Sequence, residues 1–542
     1  MLRGRPVSGK ILRTSVMGVT LLLGYVVLAL PNQIGALGSP VAWWPPLELP
    51  LMVMALWCLP YRVSRFLAPV VAIALLLLAL IKLADMVALQ AYWRIFDPVS
   101  DWRLIGPGWN VFSGTVGADK AWLLAGVLVT TLLLMLGITM AGWSLLSRQN
   151  TSNQPAGQRR WLRSLTAGWL VISLAGLVWH DVPRPAGSSR LIVEHIDQSR
   201  QNLRDLAALK EYALHDPAAQ MPAERLLTGL KGRDVLFVFI ESYGRTALED
   251  ERYAGVMRSR MAAIDSELGQ AGFGARSAWL ASPTVGGQSW LAHATLQSGL
   301  WIDSQRRYNW LMGTDRVSLA RLFNRAGWKT MAVEPALTRE WLANRYFRFD
   351  EVLDARNLGY KGDPFNWITM PDQYTWSVLQ RLALAPGDRA PVMAEIATLT
   401  SHAPWTPIPP MVAWDRVGDG RIFNQWANAG DPPDVVWQDS DRVRAQYLKS
   451  IDYALEALAS FVAHYGDDNL VVIAMGDHQP ASLITGEGAS MDVPVHVMTR
   501  DSSVLNQFAK WGWQSGMLPN QDSAHWGMDV LRQRLIEGFG SP

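Results

Sequence analysis

The stretch DVLFVFIESYG, residues 234–244, decides the fold of this 542-residue chain. Val235 to Ile240 form a continuous apolar run rich in β-branched and aromatic side chains, which is typical of a central parallel strand. The run ends abruptly in Glu241 and Ser242. A carboxylate at that position is predicted to lie at the carboxyl edge of the sheet, where open α/β folds bind ligands.

A second apolar run ends in the same way. Leu470 to Met475 is typical of another buried strand, and Gly476, Asp477 and His478 follow it. Two strand ends that carry Glu, Asp and His can meet around one metal ion. Asp and His are good ligands for zinc or manganese.

The chain after residue 231 alternates strand and helix patterns. Strands are predicted at 235–240, 329–334, 391–399 and 470–475, and helices at 257–270, 318–326 and 442–465, with a further helix that starts at Ser289. Strands that alternate with helices indicate an α/β fold, in which helices sandwich a mostly parallel sheet.

The first part of the chain consists of long apolar runs. Membrane spans are predicted at about 12–31, 47–60, 66–90, 120–146 and 162–180, because a span needs roughly 20 mostly apolar residues. Lys and Arg, including Arg3 and Arg5, precede the first span and also lie between the second and third and between the fourth and fifth. The positive-inside rule therefore predicts a cytoplasmic N-terminus and places everything after about residue 181 outside the cytosol.

Three regions are predicted from these patterns: a transmembrane region at 1–182, a connector helix within 183–230, and an extracytoplasmic catalytic domain at 231–542. Lys82 and Asp85 lie one helical turn apart in the third predicted span. Intramembrane charges indicate a function by default, but a mutually paired or snorkelling couple is the alternative.

Composition excludes several classes of function. The formal net charge is +2, and no Lys/Arg tract indicates a nucleic-acid partner. The chain has a single cysteine, Cys58, so an intramolecular disulfide and a metal site built of cysteines are both excluded.

A possible nucleophile lies in the stretch from Pro283 to Gly299. Gly286 and Gly287 form a turn that enters a helix at Ser289, and free backbone N–H groups at a helix N-terminus favour an anion. A hydroxyl there can be activated by metal coordination and used as a nucleophile. Ser289 is the favoured hydroxyl, and Thr284, before the turn, is its competitor.

The order of these motifs resembles the alkaline phosphatase/sulfatase superfamily. The resemblance is strongest to its membrane branch of lipoteichoic acid synthases, phosphoglycerol transferases and phosphoethanolamine transferases. Members of this branch have a strand that ends in Glu-Ser, a Thr or Ser nucleophile at a helix start, and a late Asp-His. The helix and strand at 318–330, and the strand that ends in the sequence around His402, are also similar.

This resemblance implies that four residues bind one divalent metal, manganese or zinc with magnesium as the alternative: Glu241, Ser289, Asp477 and His478. Ser289 would also be the nucleophile. The resemblance further implies that His402 faces the substrate. The other candidates for substrate contacts are Trp290, Trp405 and His525, the last on the acceptor side.

The implied function is a metal-dependent phosphotransferase of the bacterial cytoplasmic membrane with a periplasmic catalytic domain. It would move a phospholipid headgroup, phosphoglycerol or phosphoethanolamine, through a phospho-Ser intermediate to a glycan or lipid acceptor. A metal-dependent phosphatase or phosphodiesterase, a sulfatase-like hydrolase, and a non-catalytic membrane sensor are the alternatives. Trp290 to His293 break the Cys/Ser-x-Pro-x-Arg pattern of sulfatases, and the lack of cysteine in the domain favours the phosphoglycerol branch.

Overall fold

A computed structural model describes residues 7–148, 156–175 and 187–541 of the chain. Arg3, Arg5, the last residues of the fifth predicted span and the first four residues of the predicted connector lie outside the described residues.

The chain forms two compact units. The first contains Met1–Asp101 and Asp119–Arg204, and the second contains Trp102–Ala118 and Asp205–Pro542. Eight α-helices precede the sheet in the described residues: α1 Val7–Ala29, α2 Glu48–Cys58, α3 Tyr61–Tyr92, α4 Ile105–Val116, α5 Ala118–Arg148, α6 Ala156–Ala175, α7 Gly187–Ala213 and α8 Pro217–Gln220.

Three of these helices are long and apolar enough to cross a membrane. They are α1 from Ile11 onwards, α3 and α5, and they coincide with the first, third and fourth predicted spans. α2 has only 11 residues, and the apolar part of α6 is the shorter segment Thr166–Ala175. The described residues thus contain three spanning helices by length and composition, where five spans are predicted.

Two charged residues of α3, Lys82 and Asp85, are buried and have separate partners. The Lys82 ammonium donates hydrogen bonds to the carbonyls of Val27 and Leu28. The Asp85 carboxylate accepts the backbone N–H of Phe96 at 2.9 Å and lies 3.0 Å from Nε2 of His195. These contacts connect α3 with α1 and α7 inside the first unit.

The second unit is built on one mixed sheet. Its nine strands are β1 Asp234–Ile240, β2 Gly274–Ala281, β3 Lys329–Glu334, β4 Glu351–Asp354, β5 Val392–Ala397, β6 Leu470–Gly476, β7 Asp492–Thr499, β8 Gln514–Ser515 and β9 His525–Gly527. The order is β4-β3-β5-β1-β6-β7-β2-β8, and β9 also pairs with β2. The strands from β4 to β6 in this order are parallel, whereas β7 is antiparallel to both β6 and β2.

The four predicted strands are β1, β3, β5 and β6 of the parallel half of the sheet, whereas the short strand β4 and the antiparallel half were not predicted. β2 begins with the polar sequence Gly274-Ala-Arg-Ser, and β7 contains Pro494 and His496. Proline argues against a central strand, because it cannot donate to the ladder. For this reason the sequence does not predict β7, although all of its residues are buried.

Helices cover both faces of the sheet. The helices that follow β1 in the chain are α9 Arg245–Glu249, α10 Glu251–Gln270, α11 Ser289–Ser298, α12 Gln305–Leu311, α13 Leu319–Arg325, α14 Asn344–Phe347, α15 Asp372–Leu379, α16 Asn424–Ala427, α17 Pro433–Val436, α18 Ser440–Tyr465, α19 Ser482–Thr485, α20 Ser502–Lys510 and α21 Met528–Phe539. Alternate residues of β1 point to opposite faces: Leu236 and Val238 pack with α10, α15 and α18, and Val235 and Phe237 pack with α11, α13 and α21.

The pairing of β1 with β6 positions the candidate site. Ile240 is opposite Gly476 in this parallel register, so Glu241 and Asp477 leave the sheet side by side. The chain passes so close here that a Cβ on Gly476 would lie 1.9 Å from the carbonyl oxygen of Tyr243. Gly476 therefore permits the contact between the two strand ends.

We predict that Gly476→Ala lowers the free energy of unfolding by about 1–3 kcal/mol, because the added methyl group forces a backbone shift in a packed region. Gly255→Ala is the matched control. Gly255 lies inside α10 with no atom near its would-be Cβ, so alanine there should raise the stability by up to about 1 kcal/mol. Thermal unfolding of the full-length protein in detergent measures both effects, and equal midpoints for the two variants would contradict the packing argument.

Candidate metal centre

The turn after β1 is held by side chains from three other segments. Ser242 has a left-handed backbone with φ of 58°, and its N–H donates to Asp477 Oδ1 at 2.8 Å. The Ser401 hydroxyl donates to the carbonyl of Glu241 at 2.7 Å, and the Tyr447 hydroxyl donates to the carbonyl of Ser242 at 3.1 Å. The position of the Glu241 side chain is therefore set by the surrounding fold.

Four side chains form one cluster in the structure: Glu241, Ser289, Asp477 and His478. Ser289 Oγ donates to Glu241 Oε2 at 3.0 Å and lies 3.3 Å from His478 Nε2. His478 Nε2 is 3.4 Å from Glu241 Oε1 and 3.6 Å from Asp477 Oδ2. Ligands about 2.1 Å from a tetrahedral zinc ion are about 3.4 Å apart. These four side chains could therefore hold one divalent metal ion with little movement.

Hydrogen bonds around the cluster leave the correct atoms available as ligands. His478 Nδ1 lies 2.8 Å from the carbonyl oxygen of Gln479, which can only accept, so Nδ1 carries the proton and Nε2 faces the cluster. Asp477 Oδ1 accepts the N–H groups of Ser242 and His478, which leaves Oδ2 for a metal. Such outer partners orient the ligands of metal sites.

The two candidate nucleophiles, Ser289 and Thr284, have different surroundings. Gly286, Gly287 and Gln288 all have positive φ and turn the chain so that α11 begins at Ser289. The Ser289 hydroxyl thus faces Glu241 and His478. The Thr284 hydroxyl instead donates to the carbonyl of Gly287 at 2.8 Å and stabilises the turn.

The charges of the cluster favour a cation. Burial raises the pKa of Asp477 to about 7, and the neighbouring Glu241 carboxylate adds to this. Burial lowers the pKa of His478, but Asp477 and Glu241 outweigh it and raise the value to about 9. Burial also acts to raise the pKa of Glu241, yet His402 and His478 hold it well below its usual range. A bound divalent cation would replace the proton that these carboxylates keep on His478.

Two of the predicted substrate residues lie near this cluster in the fold. His402 is half-buried, close enough for its charge to act on Glu241, and the ring of Trp367 meets it edge-on at 4.4 Å. Trp290 is the next residue after Ser289, is half-buried, and donates from Nε1 to Gln305 Oε1 at 3.0 Å. Their contact with a substrate remains a prediction.

The other two occupy different surroundings. Trp405 is buried in the core, stacks on Trp437 at 5.6 Å, and donates to the carbonyl of Ser401, so it supports the segment that holds Glu241. His525 has a side chain that is 53% exposed and lies 2.7 Å from Asp492 Oδ1 through Nε2. Its remaining ring nitrogen, Nδ1, is the one left for solvent or substrate.

A second group of metal-ligating side chains, which the motifs did not reveal, is formed by His293, Glu334 and Glu395. In the sequence, His293 is notable only for its position one helical turn after Ser289. Glu334 gave a weak signal because it ends a predicted strand as Glu241 does, and Glu395 interrupts an apolar strand. Burial raises the pKa of Glu334 to about 7.

No protein-family model matches the chain, and no curated protein sequence matches it. Among solved structures, lipoteichoic acid synthase LtaP from Listeria monocytogenes aligns at 13% identity over 58% of this chain and 76% of that one, with a TM-score of 0.36. Phosphoglycerol transferase GacH from Streptococcus pyogenes, in complex with sn-glycerol-1-phosphate, aligns at 12% identity over 54% and 74%, with a TM-score of 0.35. The periplasmic domain of phosphoethanolamine transferase EptC from Campylobacter jejuni aligns at 10% identity over 57% and 89%, with a TM-score of 0.37. These proteins come from the groups that the sequence motifs resemble.

We predict that binding of zinc or manganese at this cluster releases about one proton or more per ion at pH 7, because His478 must lose its proton to become a ligand. The apparent affinity should rise as the pH increases towards 9, since the pKa values of Asp477 and His478 are raised to about 7 and about 9. Isothermal titration calorimetry in two buffers of different ionisation enthalpy measures the released protons. An affinity that does not change with pH would contradict this assignment of the ligands.

Proposed function

We propose that the protein is a membrane-bound, metal-dependent phosphotransferase that moves a phospholipid headgroup to an acceptor. The observation that carries this proposal is the Ser289 hydroxyl at the start of α11, 3.0 Å from a Glu241 carboxylate oxygen and 3.3 Å from His478 Nε2. A hydroxyl held among metal-ligating side chains at a helix N-terminus suits attack on a phosphoryl group.

The first half-reaction uses the residues of the cluster. A divalent metal held by Glu241, Asp477 and His478 would lower the pKa of the Ser289 hydroxyl and polarise the phosphoryl oxygens. Ser289 Oγ attacks the phosphorus in line, and the bond from phosphorus to the diacylglycerol oxygen breaks. The proton lost by Ser289 would pass to that oxygen, with His402 as the proposed carrier.

The second half-reaction returns Ser289 to its free form. An acceptor hydroxyl attacks the phospho-Ser intermediate, and a base must take its proton. His525 suits this role because Asp492 fixes its Nε2–H and leaves Nδ1 as the acceptor. Asp492 is paired with Ala281, and the next residue, Ser282, donates to the carbonyl of Asp477 at 2.6 Å. The Asp492–His525 pair therefore lies at the same edge of the sheet as the cluster.

The substrates and location follow from the membrane helices and the resemblance of the motifs. The proposed donor is a phospholipid with a phosphoglycerol or phosphoethanolamine headgroup, and the proposed acceptor is a glycan or a lipid. The three apolar helices and the distribution of Lys and Arg support a bacterial cytoplasmic membrane protein whose sheet-containing unit works on the periplasmic side. The assembled quartet of side chains speaks against a non-catalytic sensor.

We predict that Ser289→Ala lowers headgroup transfer by about 1,000-fold or more, because it removes the nucleophile. The control Thr284→Val should retain far more activity than Ser289→Ala, since it loses only the hydrogen bond from the Thr284 hydroxyl to the Gly287 carbonyl. The assay uses vesicles of a labelled phospholipid donor and a glycan acceptor. Release of the headgroup to water with no transfer would support a phosphodiesterase, and normal transfer by Ser289→Ala would refute the proposal.

A second experiment identifies the headgroup. Mass spectrometry of the peptide that contains Ser289, after incubation with each donor, should show an added mass of about 154 Da for glycerophosphate or about 123 Da for phosphoethanolamine, because the intermediate is covalent. The modification should be absent from Ser289→Ala.

We predict that His525→Gln slows the second half-reaction and makes the phospho-Ser289 form accumulate, because the base for the acceptor hydroxyl is removed. His464→Gln is the control, as His464 is an exposed histidine on α18. Quenched-flow kinetics with mass spectrometry measures the intermediate. Equal levels in both variants would remove His525 from the mechanism.

A further inference from the structure

The cluster of His293, Glu334 and Glu395 brings together side chains from three elements of the second unit. His293 lies in α11, Glu334 ends β3, and Glu395 lies in β5. Each offers one ligand atom, and these atoms lie within 4.8 Å of one another. We propose that these three residues bind a second divalent cation, distinct from the one at Glu241, Asp477 and His478.

The distances fit a single ion. His293 Nδ1 is 2.9 Å from Glu395 Oε1 and 3.8 Å from Glu334 Oε1. Two ligands about 2.1 Å from an ion are about 3.0 Å apart when they subtend a right angle, and about 3.8 Å apart at roughly 130°. Both distances from His293 Nδ1 are thus compatible with one shared ion.

The cluster contains two carboxylates but only one imidazole to balance their charge. Glu395 is fully buried and His293 nearly so, and a protonated imidazole balances only one of the two carboxylates. Two neighbouring side chains are neutral: Gln297 donates to Glu395 Oε2 at 2.6 Å, and the Phe239 ring stacks on His293 at 3.9 Å. An uncompensated charge is costly in such surroundings, and a divalent cation would balance both carboxylates when Glu334 is ionised.

An ion pair between His293 and Glu395 is the simplest competing explanation. That pair accounts for the 2.9 Å contact and for the hydrogen bond from Gln297, with Glu334 as a partly protonated neighbour, since burial raises the pKa of Glu334 to about 7. Glu334 points its Oε1 at the same imidazole nitrogen, and its side chain is 13% exposed. Glu334 is therefore the least buried of the three side chains.

The donor set indicates the class of ion and its position. One imidazole nitrogen and two carboxylate oxygens suit zinc or manganese. Three protein ligands leave a coordination position open, as in catalytic rather than structural zinc sites. His293 lies one helical turn after Ser289, a spacing at which side chains on a helix are neighbours. The second cation would thus lie beside the nucleophile, where it could bind another oxygen of a substrate.

The test counts metal ions in the purified full-length protein. The protein is stripped with a chelator, dialysed against an excess of zinc or manganese salt, and analysed by inductively coupled plasma mass spectrometry. The wild type should bind two ions per chain, and Glu334→Gln and Glu395→Gln should bind one. Glu340→Gln, an exposed glutamate close in the chain, is the control and should bind two.

Other variants separate the two sites. Glu241→Gln should also bind one ion, and its combination with Glu334→Gln should bind none. One ion per chain in the wild type, with the same count in Glu334→Gln, would overturn the second site and leave the first intact. If Glu395→Gln fails to fold, the more exposed Glu334→Gln decides the question. A count that Glu241→Gln leaves at two would contradict the first site alone.

Discussion

The pairing of β1 with β6 is the interaction on which the rest of the site depends. Their parallel register places Ile240 opposite Gly476, so the carboxylates of Glu241 and Asp477 emerge next to each other. The N–H of Ser242 then donates to Asp477 Oδ1 at 2.8 Å and joins the two strand ends. A shift of one residue in this register would turn every side chain of β6 to the other face of the sheet and would disperse the candidate ligands.

This register places two carboxylates next to each other in a buried site. Glu241 and Asp477 are buried together, and a pair of carboxylates in such surroundings needs a positive charge nearby. His478 supplies one when it is protonated, with its pKa raised to about 9 by Asp477 and Glu241 against the effect of burial. A divalent cation supplies more, and the same charge would activate the Ser289 hydroxyl. The positive charge that the two buried carboxylates require is therefore the same charge that would activate Ser289 in the proposed reaction.

The parts of this arrangement that could be predicted are those in which local sequence agrees with the final environment. β1, β3, β5 and β6 are buried on both faces, so their apolar runs showed where they end and where Glu241 and Asp477 lie. β7 was not predicted because Pro494 and His496 interrupt its pattern, although all of its residues are buried. The cluster of His293, Glu334 and Glu395 depends on strand order and side-chain direction, which no local pattern contains. The length of α2 shows the same limit, since hydropathy alone predicted a span where the helix has 11 residues.

The most direct test of the central claim is anomalous X-ray diffraction from crystals of the protein grown with zinc or manganese, with data collected on both sides of the metal absorption edge. The assignment of the four ligands predicts an anomalous peak about 2.0–2.3 Å from Glu241, Ser289, Asp477 and His478, the range of metal–oxygen and metal–nitrogen bonds. The absence of a peak at these four side chains in metal-saturated crystals would contradict it.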